Sequence, residues 1–178
     1  MTSAVIPLST RLDPRYSDPA AKAISWAETE RVLAQAQLFW LTTVRADGRP
    51  HMTPVAAAWG GGAVHFHTGT EEQKYLNLQA NPNVILSTGN DDWDRGLDVI
   101  VEGRAVHVTD QAVLEGLVGL WADKWDGRWK LAAGADGGVR NTEFGGTSRL
   151  FTVVPSKIFA HAKGDPFGAT THRFTPGS

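Results

Sequence analysis

The 178-residue chain contains no cysteine. Disulfides, thiolate metal sites, iron–sulfur clusters and thiol catalysis are excluded together, and a reducing compartment fits. An excess of either charge is missing as well: 17 basic residues stand against 19 acidic ones, a net charge of −2. A dedicated nucleic-acid binder normally carries a basic excess or stripe, so no nucleic-acid partner is expected. Long hydrophobic runs are also absent. The longest uncharged stretch, residues 50–70, is broken by prolines, glycines and histidines and alternates as a sheet does, so no membrane-crossing helix is expected. Residues 1–16 lack a basic segment followed by an apolar core; no secretion signal is expected, and the cytoplasm is the expected location.

Common site signatures are missing too. Ser87, Ser148 and Ser156 stand outside any Gly-x-Ser-x-Gly elbow, which would strain and expose a nucleophile, so a hydrolase triad is not expected. No Gly-x-Gly-x-x-Gly follows a strand and no Walker sequence occurs, which removes the usual dinucleotide and P-loop sites. Gly60, Gly61 and Gly62 precede a strand rather than a helix, and so fit a hairpin turn better than a phosphate cradle. What the chain does have is seven tryptophans, 19 glycines, and 42% hydrophobic against 20% charged residues. The last balance is that of an ordinary globular protein. A single domain of this length buries about 70% of its unfolded surface and needs no staples.

Residues 1–24 are polar and aperiodic and read as a tail or an arm lying on a partner; residues 25–174 read as one domain, and residues 175–178 as a second tail. Ser25-Trp26-Ala27-Glu28 is a capping box that opens a helix to about Gln37, with Val32 and Leu33 inward. Residues 39–44 alternate as a strand, Ala46-Asp47-Gly48 is a turn, and residues 51–59 and 63–68 make two further strands. Thr70-Glu71-Glu72-Gln73 predicts the cap of a short helix that stops near Asn81-Pro82. Residues 84–88 and 98–108 are strands, and Thr109-Asp110 caps a helix with Val113, Leu117, Leu120 and Trp121 on one face. The Gly-rich residues 126–148 predict a mobile excursion, and residues 149–154 and 158–163 the last two strands. Short strands with turn signals and few helices predict a mainly β chain, closed as a small antiparallel barrel.

His65-x-His67 places two imidazoles on one face of a strand, a spacing that can share a metal. A third ligand is not evident, and the expectation is no metal. The segment from His67 to Lys74 carries more: a strand runs into a turn and a helix start, whose N–H groups and dipole favour anions. Thr68 adds a hydroxyl and Lys74 a full charge, so together they can hold a phosphate. Equally, Glu71 and Glu72 can satisfy the dipole, leaving Lys74 a surface charge. The residues alone leave both readings open.

The run from Trp40 to Val55 resembles the opening hairpin of the pyridoxamine-phosphate-oxidase-like split-barrel flavoproteins. So do Phe66-His67-Thr68-Gly69, Lys74 six residues after Thr68, Asn77-Leu78, Asn81-Pro82, and the run from Asp98 to Ala105 with its Val-x-Gly-x-Ala ending. The order and spacing of these pieces, over about residues 26–173, carry the resemblance. It implies a split β-barrel of the FMN-binding type with short flanking helices, assembled as a homodimer with a flavin-type cofactor at the subunit interface. It implies that Met52, Thr53, Pro54 and Val55 meet the ring edge, and that His67, Thr68 and Gly69 lie at the ribityl-phosphate part. Gln73 and Lys74 stand where the oxidases keep an Arg-Lys pair on the phosphate; Gln for Arg removes one charge and a bidentate fork. Asp98 replaces a glutamine near the ring, and the C-terminal Arg-x-His signature for pyridoxal phosphate is missing, so oxidation of pyridoxamine phosphate itself is not expected.

The chain is more similar to the branch containing enzymes that depend on the deazaflavin coenzyme F-420. Relatives there end in Thr-Arg-aromatic-Arg-Phe, and Thr170-Thr171-His172-Arg173-Phe174 keeps the last Arg-Phe. The resemblance thus implies an oxidoreductase moving a hydride between coenzyme F-420 or FMN and a small organic substrate, with Trp93 and Arg173 as pocket walls. Trp93 can equally be a loop residue packed on the surface. No side chain stands out as a catalytic proton donor. The alternative is a non-enzymatic split barrel that stores or carries FMN, deazaflavin or heme.

Overall fold

The computed structural model describes residues 5–143 and 145–174. The chain opens with β1 (Ser9–Leu12), a 3-10 turn at Pro14–Tyr16 and α1 (Trp26–Gln35). Ser25 caps α1 as its sequence requires, its hydroxyl accepting from the Glu28 N–H at 3.2 Å. A hairpin of β2 (Phe39–Val44) and β3 (Pro50–Val55) follows. Gly48, at φ +85°, supplies the turn between them, where a side chain would be strained. Next come β4 (Ala58–Gly60), β5 (Ala63–Thr68), α2 (Gln73–Ala80), β6 (Asn83–Thr88) and β7 (Leu97–His107). The chain ends with α3 (Gln111–Leu117), α4 (Gly119–Lys124), β8 (Leu131–Ala133), β9 (Val139–Asn141), β10 (Gly145–Ala162) and β11 (Gly168–Arg173).

All strand pairs are antiparallel, in the order β1-β11-β10-β7-β6-β2-β3. The 18-residue β10 organises the rest. One edge pairs with the whole of β7 over residues 151–162; the other pairs first with β9 and β5, then with β11. A register shift between Pro155 and Lys157 bends it between the two halves. β5 in turn pairs β4, and α1 and α4 pack against β4. This is a split β-barrel, mainly β with short flanking helices. Its core is filled by inward residues of every long strand, among them Phe39, Leu41, Val64, Phe66, Leu86, Val99, Val101, Val153 and Ile158, with Leu33 of α1 sealing one end. No helix among the described residues is long and apolar enough to cross a membrane.

Several expectations are corrected. Within residues 1–24, read as a tail or an arm lying on a partner, Ser9–Leu12 instead adds an edge strand to β11 of its own chain. The described part of that segment is tied down further, since Thr10 Oγ1 lies 2.9 Å from His172 Nδ1 and the Trp26 indole donates to the Val5 carbonyl at 2.9 Å. Residues 1–4 and 175–178 lie outside the described residues. Residues 126–148 hold a second small sheet, in which β8 pairs β9 and β9 pairs the start of β10. The two expected strands at 149–154 and 158–163 are one continuous strand, and the C-terminal segment forms β11. In α3 it is Leu114 that is buried, while Val113 faces outward. Thr70 does not cap α2; the N-cap position is Glu72, whose side chain does not cap its own helix.

Gly103 shows why the Val101–Ala105 sequence has its composition. It lies opposite Pro155 at the bend in β10, and a Cβ there would stand 2.7 Å from both the Val154 carbonyl oxygen and Val153 Cγ1. The backbone contact cannot be relieved by a rotamer change. Gly103→Ala is expected to cost about 1–3 kcal/mol by overpacking, read as a lower urea midpoint at unchanged slope.

Candidate functional site

The end of β5 and the start of α2 form a corner in which three hydrogen-bond donors converge. The Gly69 N–H donates to Glu72 Oε1 at 2.7 Å and the Thr68 hydroxyl donates to the same oxygen at 3.1 Å. Lys74 Nζ closes on the other oxygen, Oε2. Lys74 is not the surface charge that one reading allowed: its side chain is only 10% exposed, against 48% for Glu72. Burial pushes the Glu72 carboxyl up, but the hydrogen bonds from Lys74, Gly69 and Thr68 outweigh it and hold the group below the usual glutamate range.

A polar chain fixes this corner to the barrel. The Gln73 amide donates to Asn77 Oδ1 at 2.8 Å, Asn77 Nδ2 donates to the Thr43 hydroxyl at 2.8 Å, and Thr43 donates to the His51 carbonyl at 3.4 Å. Gln73 is therefore committed to orienting Asn77, which ties α2 to β2, and its amide faces Asn77 rather than the three donors. His51 joins the corner's electrostatics: burial, with the positive charges of Arg45 and Lys74, holds its imidazole below the ordinary range. Its Nδ1 is buried and has no hydrogen-bond partner.

The two histidines of β5 divide their work. His65 is buried; its Nε2 lies 2.9 Å from the Gly60 carbonyl and its Nδ1 2.9 Å from Thr152 Oγ1. A carbonyl only accepts, so Nε2 carries the proton, and a neutral ring accepts from Thr152. Burial holds His65 below its ordinary value, and both nitrogens are spent within the protein. His67 faces the corner and the aromatics instead, with its ring centre 5.7 Å from Trp121 and 6.1 Å from Trp129. Burial also lowers His67, with Glu72 and Lys74 acting on it in opposite directions. The face of β5 that carries both histidines is covered by α4 and by the following segment that bears Trp129. Trp121 is fully buried there, donating to the Ala56 carbonyl at 2.8 Å, and Trp129 Nε1 is buried without a partner. No cluster of three His, Asp or Glu able to hold a metal occurs among the described residues.

The remaining expected site residues are spread out. On β3, Thr53 and Val55 lie on the inward side with Leu41 and Phe39, whereas Met52, 61% exposed, and Pro54 lie on the outer face. Trp93 is 92% exposed, at the opposite end of the barrel from Lys74, beside a cleft of about 770 Å³ lined by Asp94, Lys163, Asp165 and Phe167. Asp98 is engaged there in an ion pair with Lys163 at 3.0 Å. Arg173 is exposed on β11 opposite Lys157, seven residues along β10 from Leu150, the residue opposite His67, or roughly 23 Å of strand. One chain thus gathers His67, Thr68, Gly69 and Lys74, with Gln73 beside them, and leaves Trp93 and Arg173 apart. Arg45, His51, Glu72 and Trp129 were not among the expected site residues. Arg45, His51 and Glu72 stood inside the singled-out segments, but only folding brings Trp129 to them.

The profile of the pyridoxamine 5'-phosphate oxidase family matches residues 25–140. The chain belongs to this family. No curated protein matches it. Among solved structures, an F420 reductase is 28% identical, covering 72% of this chain and 94% of its own, with a TM-score of 0.52. An FAD binding protein from Mycobacterium smegmatis is 20% identical over 85% of this chain and 98% of its own, TM-score 0.54. A heme binding protein from the same organism is 17% identical over 85% of this chain and 60% of its own, TM-score 0.62. The last two are likenesses of fold alone. The family match ends at residue 140, so β10 and β11, which hold the two halves together, lie beyond it.

The division between His65 and His67 has a direct check. His65→Leu leaves Thr152 and the Gly60 carbonyl unsatisfied and is expected to cost about 1–3 kcal/mol. Because the folded state holds His65 neutral, the unfolded chain binds more protons below the ordinary imidazole range. Wild-type stability therefore falls as pH drops through and below about 6.5, and less steeply in His65→Leu, as denaturant melts at several pH values will show.

Proposed function

We propose that this chain is a flavin- or deazaflavin-dependent oxidoreductase that binds coenzyme F-420 or FMN and moves a hydride between it and a small organic substrate. The observation that carries the reading is the buried Lys74 ammonium, set beside the Gly69 N–H and the Thr68 hydroxyl. A buried cation with a convergent backbone donor is a site for an anionic group. Two buried ring nitrogens without partners, His51 Nδ1 and Trp129 Nε1, border the corner and fit a ligand that brings its own polar groups, with an acceptor for the indole N–H. The cofactor supplies the redox chemistry when bound. The protein's part is to hold its phosphate on Lys74, Thr68 and Gly69, to meet its ring edge with the backbone of Met52, Thr53, Pro54 and Val55, and to exclude water with His67 and the neighbouring tryptophans. The missing cysteines suit a reducing compartment, and we take the cytoplasm as the place of action.

Titration with FMN and with coenzyme F-420, followed by fluorescence, is expected to show saturable binding of one of them. Lys74→Ala is expected to weaken it roughly 10- to 100-fold, the effect of losing a charged hydrogen bond of about 1.5–3 kcal/mol. Indifference to both cofactors sinks the reading. Tight binding with no turnover toward any added electron acceptor favours the carrier alternative, a barrel that stores FMN, deazaflavin or heme.

The site reading also asks for a second copy of the chain. Trp93 and Arg173 stand far from Lys74 within one subunit, and a two-fold partner is the economical way to bring such residues to one ligand. The outer face of β2, β3 and β6 offers the surface: Trp40, Met52 and Ile85 lie exposed on adjoining strands. Trp121 and the Ser9–Leu12 strand are used within the chain. A homodimer burying about 1,200 Å² or more is expected. Light scattering should give a dimer, with a melting temperature that rises with both protein and cofactor concentration; a monomer binding cofactor at full affinity speaks against it.

A further inference from the structure

Glu72 occupies the donors that the preceding reading assigns to the cofactor phosphate. We propose that its carboxylate is a built-in plug, a stand-in for the ligand's anionic group that an incoming phosphate must displace, and that it sets how readily and how selectively the corner takes phosphate. The proposal rests on the reading of this corner as the anion-binding part of a cofactor site.

Four observations support a displaceable occupant rather than a fixed ion pair. First, the two carboxylate oxygens collect a backbone N–H, a hydroxyl and an ammonium, which is a donor set that a phosphate oxygen group takes. Second, the burial is lopsided. The Lys74 side chain is 10% exposed and the Glu72 side chain 48%, so the cation is fixed while the anion has open solvent to swing into. Third, Glu72 stands at the N-cap of α2 but makes no side-chain cap bond, so its departure costs that helix no cap. Fourth, residue 69 is glycine where an anion closes in: a Cβ there would lie 3.3 Å from Glu72 Oε1.

The exchange is of one anion for another. With Glu72 swung away and nothing in its place, Lys74 is left buried without a counter-charge, a strongly unfavourable state. A phosphate restores the balance, whereas a neutral polyol such as the ribityl chain of riboflavin cannot. The plug therefore penalises ligands without an anionic group more than it penalises phosphorylated ones. It also keeps the empty corner folded.

The test uses the full chain as wild type, Glu72→Gln and Glu71→Gln, melted in increasing inorganic phosphate at constant ionic strength. Gln keeps the length of Glu and an oxygen for the Gly69 N–H but removes the charge. Glu71→Gln makes the same charge change one residue away, on an exposed side chain. Expected is a Glu72→Gln protein that melts below wild type without phosphate and is rescued by it, with half-saturation at roughly 10- to 100-fold less phosphate than wild type. Glu71→Gln should follow wild type. An unchanged phosphate response in Glu72→Gln overturns the proposal, as does an equal gain in Glu71→Gln, which would reduce the effect to net charge. Should Glu72→Gln fail to fold even in phosphate, Glu72→Asp keeps the charge but withdraws the carboxylate by one methylene, and a phosphate response no stronger than wild type's then overturns the proposal. FMN and riboflavin titrated in parallel separate this from the cofactor reading. A gain in phosphate response with no flavin or deazaflavin bound by either protein supports the plug and sinks that reading. Equal FMN binding by wild type and Glu72→Gln, without a phosphate gain, sinks the plug alone.

Discussion

An 18-residue strand has two edges whose backbone groups must be paired, and no neighbour along the second edge of β10 is long enough to do it alone. The fold follows from how that demand is met. β7 takes one edge, while β5 and β11 share the other on either side of the bend at Pro155, so one strand belongs to both halves of the barrel. The requirement reaches the first residues of the domain, because β11 in turn presents a free edge that β1 covers. It also explains Gly103, the position where β7 passes the bend too closely for any side chain.

The second constraint is electrostatic. A lysine brought inside a barrel wall has to meet an acceptor or leave, and Lys74 meets Glu72. The meeting place is held by the Gln73–Asn77–Thr43 chain, which fastens α2 to the hairpin, so a charged corner is supported by neutral hydrogen bonds. On its other side the aromatic layer of α4 and the following segment lies against His67. The result is a polar corner with one apolar wall, which suits a ligand that has an anionic end and a flat body.

The distribution of the remaining candidates bears on assembly. Residues that a single ligand would need from both ends of the barrel are held apart by the length of the strands, about 17–20 Å for a six-residue strand. No rotamer change closes such a gap. The exposed Trp40, Met52 and Ile85 face and the outlying Trp93 and Arg173 have a common explanation if two chains meet, and separate explanations if they do not.

Local patterns were enough to read the Ser25 cap, the turn at Gly48, the strand over residues 63–68, the helix at Asp110 and the mainly β class, since each depends on contacts within a few residues or on a period of two. The order of motifs from Trp40 to Ala105 carried the split barrel and pointed to Thr68, Gly69 and Lys74. Long-range pairing was not legible. Residues 9–12 have no pattern of their own and become a strand only because β11 offers them an edge. Residues 126–148 look like loop until β10 gives β9 a partner. Alternation in β5 correctly put His65 and His67 on one face, but it could not tell that α4 would cover that face, or that His65 would be buried between the Gly60 carbonyl and the Thr152 hydroxyl. The same holds for the charge on Lys74. Sequence supplied a cation near a helix start, and only the packing of α2 against β2 and β3 decided that it would be buried, and that the nearest anion able to answer it would be Glu72.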